Sequence, residues 1–315
     1  MSIVISEDLW VSVPAWFLER YGEVRYDITL VSHRQALLNA VQDASVLIVR
    51  NKTRVDRELL EAAPGLAVIG RLGVGLDNID VAVAKERGVK VVAARGCNAT
   101  SVAEYVMACL LHRVRFLERS SQHVKSGIWD RGFSTGSEIY GKTIGLVGVG
   151  DIGQRVASRA RAFGMDVIAY DPFVLETSAL VQDVGVRLVD LETVLTTSDF
   201  VSVHVPLTPQ TKYLIGEREL MVMRPDGTVI NTARGGVIEE AALQKVLAAR
   251  FEMAAYLDVR EHEPPATADA LSELPNVVLT PHVAGITRES SARVAQFIFR
   301  QVGNALDGAV VQGLV

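Results

Sequence analysis

The stretch Thr143-Ile144-Gly145-Leu146-Val147-Gly148-Val149-Gly150-Asp151-Ile152-Gly153, with Asp166-Val167-Ile168-Ala169-Tyr170-Asp171 after an intervening helical pattern, decides the fold. An apolar run feeds a Gly-x-Gly-x-x-Gly turn, the turn opens a helix, and a second strand ends in a carboxylate about 20 residues on, as a dinucleotide-binding unit requires. Gly148 allows the tight turn, Gly150 lets the backbone approach a pyrophosphate, and Gly153 lets the helix pack near the strand. The helix N-terminus at Asp151 and Ile152 offers N–H groups and a positive dipole end to the phosphates. Asp171 suits the two ribose hydroxyls. A 2′-phosphate would meet a like charge there, and Pro172, Phe173 and Val174 bring no arginine to receive it. The expected cofactor is NAD.

Outward from this unit, the first third alternates strand and helix: Ile3–Ser6, Pro14–Tyr21, Val24–Ile28, Gln35–Asp43, Ser45–Arg50, Asp56–Ala63, Leu66–Leu72, Ile79–Arg87 and Val89–Ala93. Such alternation predicts a parallel sheet with helices on both faces. One long helix is predicted from Ser101 to about Lys125, with Ser101 as N-cap and Glu104 completing a capping box. Strands at Phe200–Leu207, Thr228–Thr232, Met253–Val259 and Val277–Thr280, and a helix at Ile238–Arg250, extend the dinucleotide sheet. A last amphipathic helix, Arg288–Leu306, would pack back on the first domain. The predicted class is therefore α/β, with two doubly wound parallel-sheet domains. A discontinuous flavodoxin-like substrate domain takes residues 1–98 and 284–315, and a Rossmann NAD-binding domain takes 99–283. Hinges are expected near Gly96–Ser101 and Val283–Thr287.

At 315 residues the chain is long for one core, and 49% hydrophobic residues suffice to bury two. A net charge of -5 without a Lys/Arg block argues against nucleic acid as a partner. Two cysteines, Cys97 and Cys109, make neither a disulfide framework nor a metal cluster and fit a reducing compartment. No apolar run approaches the roughly 18 residues of a membrane span, and the first residues do not resemble a signal peptide. A soluble, cytoplasmic protein is expected.

Hydride transfer to a 2-keto acid needs a cation for the carboxylate, a proton donor for the carbonyl oxygen and a group that sets the donor's charge. Arg234 follows the strand Val229–Ala233, and its planar fork suits a carboxylate. His282 follows Thr280-Pro281 and can exchange a proton near neutral pH. Glu263, in Glu261-His262-Glu263-Pro264, follows a third strand end, and pairing with His282 would favour the imidazolium. Each type singly is more often a solvated or structural group; three complementary groups on strand ends of one sheet point to an active site. His33, His112, His123 and His262 show no metal-ligand spacing, and no metal is expected.

In order, the glycine turn, Asp171, His204-Val205-Pro206-Leu207-Thr208, Asn231-Thr232-Ala233-Arg234-Gly235-Gly236, Leu257-Asp258-Val259, Glu263-Pro264 and Thr280-Pro281-His282 resemble the D-isomer-specific 2-hydroxyacid dehydrogenases over nearly the whole chain. The resemblance implies His282 as acid/base, Glu263 as its partner and Arg234 as substrate clamp. Glu261 lies two residues away, so the choice of Glu263 rests on the Glu-Pro match. The same resemblance implies Asp258 at the nicotinamide carboxamide, and Val205, Pro206, Thr232, Ala233 and the Ala284-Gly285 backbone along the cofactor. It sets His204 beside the adenosine half, where a hydrogen-bonded strand-end residue is an equal alternative.

Val49-Arg50-Asn51-Lys52-Thr53 and Gly70-Arg71-Leu72-Gly73-Val74-Gly75 resemble the phosphoglycerate dehydrogenase branch. Gly73, Val74 and Gly75 can form an N–H nest for the substrate carboxylate, with Arg50 and Lys52 set for a second anion. Sulfolactate and glyoxylate or hydroxypyruvate dehydrogenases are the alternatives. The chain stops at Val315, so no C-terminal regulatory domain and no serine feedback through one are expected. Related enzymes form dimers in which the Gly-x-Trp region reaches the partner's site. That makes Trp129 or Arg131 a candidate contact in a homodimer, although Trp129 suits an interface anchor better. An NAD-sensing corepressor is the rival from another class, disfavoured by the lack of long tails.

Overall fold

The computed structural model describes residues 2–265 and 269–315. The chain divides into two compact units, Met1–Asn98 with Ile286–Val315, and Ala99–Gly285. Ala284 and Gly285, assigned to the first domain by the sequence boundary, thus group with the second unit.

In the first unit, β1 (Ser2–Ile5), α1 (Ala15–Tyr21), β2 (Val24–Tyr26), α2 (Arg34–Ala40), β3 (Ala44–Val49), α3 (Arg57–Ala62), β4 (Val68–Arg71), α4 (Val81–Glu86) and β5 (Lys90–Ala93) build a five-stranded sheet. All its pairings are parallel, in the order β2-β1-β3-β4-β5. This is the flavodoxin-like order, whose topological switch point lies between β1 and β3. The strands are apolar on both faces because helices cover both. One face holds Leu37, Leu59 and Val83 from α2, α3 and α4. The other takes Phe17 of α1 and, from the chain's far end, Ile298, Phe299 and Val302. A Cβ on Gly70 would meet Ile298 Cγ2 at 2.8 Å, so glycine lets that last helix approach β4. The predicted strand Val24–Ile28 stops at Tyr26, because the Asp27 side chain accepts the Thr29 N–H and starts a 3-10 turn.

The second unit opens with α5 (Ala99–Arg115) and α6 (Leu117–Lys125), where the sequence predicts one helix. Phe116 between them has a left-handed φ of 44°. The Val114 carbonyl, which a continuous helix would offer to Glu118, instead accepts the Ser137 N–H at 2.9 Å. The predicted N-cap is also displaced. The helix begins at Ala99, so Ser101 is buried within its first turn, and Glu104 pairs with Arg159 rather than closing a capping box.

There follow β6 (Thr143–Val147), α7 (Asp151–Ala162), β7 (Asp166–Tyr170), α8 (Ala179–Gln182), β8 (Arg187–Leu188), α9 (Leu191–Thr197), β9 (Phe200–Val203), α10 (Glu217–Val222), β10 (Thr228–Asn231), α11 (Glu240–Ala249), β11 (Ala254–Leu257) and β12 (Val277–Leu279). They form a seven-stranded parallel sheet, β12-β11-β10-β9-β6-β7-β8. It is the Rossmann order, with its switch point between β6 and β9. Val106 and Leu110 of α5 and Val156 of α7 pack on one face, and Leu195, Leu220 and Leu243 of α9, α10 and α11 on the other. α12 (Arg288–Leu306), capped by Thr287, belongs to the first unit. None of the described helices is long and apolar enough to cross a membrane.

Candidate active site

The glycine turn lies at the switch point of the second unit. Gly148 has φ 92° and donates its N–H to Tyr170 O at 2.9 Å, and the next amide, Val149, donates to Asp171 Oδ2 at 2.9 Å. A Cβ on Gly153 would sit 2.4 Å from Gly148 O, so glycine is required where α7 meets the turn. Gly150 caps α7 without a side-chain hydrogen bond, and a Cβ there would meet nothing within 4 Å. The Gly150 backbone thus borders open space at a positive helix end, where the first N–H groups of α7, at Asp151 and Ile152, have no partner within the helix.

Across the switch point, the His204 N–H donates to Val147 O at 2.8 Å. Val205 Cγ1 lies 2.9 Å from where a Gly148 Cβ would be. His204 Nε2 pairs with Ser202 Oγ at 3.0 Å, while burial pushes the imidazole down to about 4 and keeps it neutral. His204 Nδ1 and Thr232 Oγ1 are buried with no partner among the described residues. Two orphaned polar atoms on neighbouring strand ends, beside an open helix N-terminus and a free-edged glycine turn, fit a dinucleotide. Pro206 continues the same edge, and the Ala233 N–H donates to Asn231 Oδ1 at 3.0 Å.

Two further strand ends, those of β11 and β12, present the acid–base pair, and the end of β10 adds Arg234. His282 Nδ1 and Glu263 Oε2 are 2.7 Å apart, and Glu263 Oε1 accepts the Arg260 N–H at 2.9 Å. Partial burial works to raise the Glu263 carboxyl. The bonds from His282 and Arg260, with the charges of His282 and Arg234, outweigh it and hold the group below its ordinary value. Glu261 points elsewhere: it accepts from Glu240 N–H at 2.9 Å and from Tyr213 OH at 3.1 Å. Arg234 follows β10 in a turn closed by Asn231, whose Nδ2 donates to Arg234 O at 2.9 Å, while Arg234 Nη1 donates to Ala233 O at 2.6 Å.

His282 has a left-handed φ of 54°, a strained angle for a residue with a Cβ. Asp258 holds it there. This carboxylate, 1% exposed, accepts from Thr280 Oγ1 at 2.6 Å, Val283 N–H at 2.8 Å and Ala284 N–H at 2.8 Å. Tyr105 of α5 reaches Thr280 Oγ1 at 2.5 Å and extends the network. Asp258 thus shows a turn-holding task that the sequence did not suggest. Arg260 is a second unforeseen support, paired to Glu240 at 2.9 Å and to Asp269. The sequence signal for Arg260 was only a polar residue after a strand, while Asp258 stood in the Leu257-Asp258-Val259 match with a cofactor task.

The other candidates lie in the first unit. Glu7, 4% exposed after β1, accepts the N–H groups of Arg50, Lys52 and Thr53 at 2.9, 3.1 and 2.8 Å. It ties the loop after β3 to the end of β1. Val74 and Gly75 follow β4 at the same carboxyl edge, and Arg71, buried at the end of β4, sits against Gly73. Glu7 and Arg71 were not among the sequence candidates. Trp129 is 75% exposed, and Arg131 is exposed as well. Among the described residues no cluster of His, Cys, Asp and Glu could hold a metal.

Residues 107–284 match the family model of the D-isomer specific 2-hydroxyacid dehydrogenase NAD-binding domain. A D-3-phosphoglycerate dehydrogenase of Archaeoglobus fulgidus is 40% identical over 315 residues, covering 100% of this chain and 59% of that one. The chain thus spans little more than half of that relative. An (S)-sulfolactate dehydrogenase of Chromohalobacter salexigens is 43% identical over 306 residues, 97% of this chain and 99% of its own. Among solved structures, a D-lactate dehydrogenase from Aquifex aeolicus complexed with NAD and lactic acid superposes with a TM-score of 0.82 at 28% identity, covering 98% and 96%.

Proposed function

This chain belongs to the D-isomer specific 2-hydroxyacid dehydrogenase family and carries its NAD-binding domain, and we propose that it interconverts a D-2-hydroxy acid and its 2-keto acid. The observation that carries the reading is the His282–Glu263 pair at 2.7 Å, with Arg234 close enough to lower the Glu263 carboxyl. With its pyrophosphate at the glycine turn and the N-terminus of α7, a bound NAD would supply or accept the hydride through its nicotinamide. The chain's residues do the rest. Arg234 holds the substrate carboxylate and polarises the carbonyl, and His282 gives a proton to the oxygen in reduction and takes it back in oxidation. Glu263 stabilises the imidazolium, and Asp258 keeps the ring at its angle. The Asp171 carboxylate favours NAD over NADP.

The substrate carries a second anionic group, received by Arg50 and Lys52, while the N–H groups around Val74 and Gly75 meet its carboxylate. Phosphoglycerate is the first reading and sulfolactate the second; the end-to-end match with a sulfolactate dehydrogenase favours keeping both. Glyoxylate or hydroxypyruvate follows if the second anion proves dispensable. The enzyme works in the cytoplasm, consistent with Cys97 and Cys109 standing outside any disulfide, as a homodimer in which Trp129 or Arg131 meets the partner.

The test is NADH oxidation with 3-phosphohydroxypyruvate, sulfopyruvate, hydroxypyruvate, glyoxylate and pyruvate, each repeated with NADPH. His282→Ala should lower kcat by roughly two to four orders of magnitude with NADH affinity little changed. Near-normal turnover removes His282 from the mechanism. Tight NADH binding without turnover on any substrate favours the NAD-sensing corepressor instead.

A further inference from the structure

The switch point of the first unit holds a construction that the hydride-transfer chemistry does not explain. Trp10, five residues after β1 ends at Ile5, has a left-handed φ of 58°. Its N–H donates to Asp8 Oδ1 at 2.8 Å, and the same oxygen accepts from Tyr26 OH at 3.1 Å, which in turn accepts the Leu9 N–H at 3.1 Å. These bonds hold a strained backbone that a tryptophan would otherwise avoid. The result is a stacked pair: Arg50 Cζ lies 3.4 Å from the centre of the Trp10 ring.

The guanidinium is fixed from its other end as well. Glu7 takes the N–H groups of Arg50, Lys52 and Thr53, and Asn78 Nδ2 donates to Arg50 O at 3.1 Å and Thr53 O at 2.7 Å. The guanidinium itself makes one long bond, from Nη1 to Asp8 O at 3.3 Å, and no carboxylate among the described residues pairs with it. Burial pushes it down to about 10, so it stays a cation at neutral pH but a poorly solvated one. A rigid, half-buried fork with uncommitted donors at a switch point is suited to an oxyanion.

We propose that Trp10 determines the substrate class: its indole stacks on Arg50 and presents the guanidinium edge to a tetrahedral anion, phosphate or sulfonate, at the far end of the 2-hydroxy acid. The proposal rests on the reading of Arg50 as the receiver of a second anion. A ring that only filled space would not need the left-handed backbone that brings it over the cation.

The experiment compares wild type with Trp10→Gly, Trp10→Asn, Trp10→Phe and Arg50→Gln in the full chain, using NADH with 3-phosphohydroxypyruvate, sulfopyruvate and glyoxylate. Glycine and asparagine both suit the backbone angle, so the ring is removed without added strain. The readout is the ratio of kcat/KM for a keto acid with a second anion to that for glyoxylate. Trp10→Gly and Trp10→Asn should lower it about tenfold, mainly through KM, and Trp10→Phe should retain most of it. Arg50→Gln should lower it at least as far. A ratio lowered by Arg50→Gln but unchanged by both ring-removing variants overturns the role of Trp10 and leaves that of Arg50 standing. A ratio unchanged by Arg50→Gln overturns the underlying reading and the proposal with it. In wild type, the better of phosphate and sulfonate identifies the anion.

Discussion

Replacing Asp258 with Asn tests whether the acid–base histidine is held by a buried carboxylate. Asp258 Oδ1 accepts from Thr280 Oγ1 and Val283 N–H, and Oδ2 from Ala284 N–H. An amide offers one acceptor oxygen, so in either orientation one backbone N–H faces an NH2 group. Losing that bond and leaving the donor buried costs about 1–3 kcal/mol. The left-handed φ of 54° at His282 stores strain of similar size, roughly 1–3 kcal/mol. The turn is thus held against its own strain by bonds that Asn cannot all supply. If the loss falls on the turn, kcat should drop roughly 5- to 150-fold. The melting temperature should fall by about 2–4 °C per kcal/mol lost. The Kd for NADH, followed by fluorescence, should change less than about threefold. Unchanged kcat would refute the argument. A loss confined to NADH affinity would refute it too, and would return Asp258 to the carboxamide contact implied by family resemblance.

Other residues give equally direct checks. Glu263 is held below its ordinary value of 4.5, so its native contribution is fully present above that pH and disappears as the pH falls through the lowered value. Melts from pH 8 to 3 should show a constant advantage of wild type over Glu263→Gln above about 4.5 that fades below it; an advantage growing towards acid contradicts the pairing. Gly153→Ala drives a methyl to 2.4 Å from Gly148 O, and overpacking of this kind costs about 1–3 kcal/mol. Weaker NADH binding with a lower melting temperature is expected, and a neutral outcome by both measures rejects the close approach. Asp171→Ser should raise NADPH use relative to NADH; an unaltered ratio would show that this carboxylate does not discriminate.

The order of elements was legible because parallel strands buried on both faces read as apolar runs, and the glycine turn marks its own position. The His282–Glu263 pair was legible because Arg234, Glu263 and His282 each follow a strand of one sheet. What escaped depended on contacts between distant segments. The break at Phe116 comes from Ser137 taking the Val114 carbonyl, 23 residues away in sequence, and no local pattern announces it. The short helices α8, α9 and α10 carry too few turns for a periodic signal. Arg260 and Tyr105 read as ordinary surface and helix residues until Glu240 and Thr280 appear beside them. Glu261 and Glu263 are equivalent on composition and were told apart by the Glu-Pro match; the fold turns the first towards α11 and the second towards His282.

Asp258, Glu7 and Asp171 share a physical logic. Each is a carboxylate that follows a strand and accepts backbone N–H groups from a neighbouring loop: Asp258 from Val283 and Ala284, Glu7 from Arg50, Lys52 and Thr53, and Asp171 from Val149 and Phe173. Loops at the carboxyl edge of a parallel sheet have lost the ladder that would satisfy these amides, and a carboxylate can satisfy several at once. Asp258 and Glu7 are buried, which is costly unless those bonds form, so loop conformation and buried acid require each other there, while Asp171 is half-buried. The segments so fixed carry His282, Arg50 and the glycine turn. Neutralising any of the three acids should therefore impair presentation of a functional group before it unfolds the unit. This separates them from the core leucines, whose loss should lower stability first.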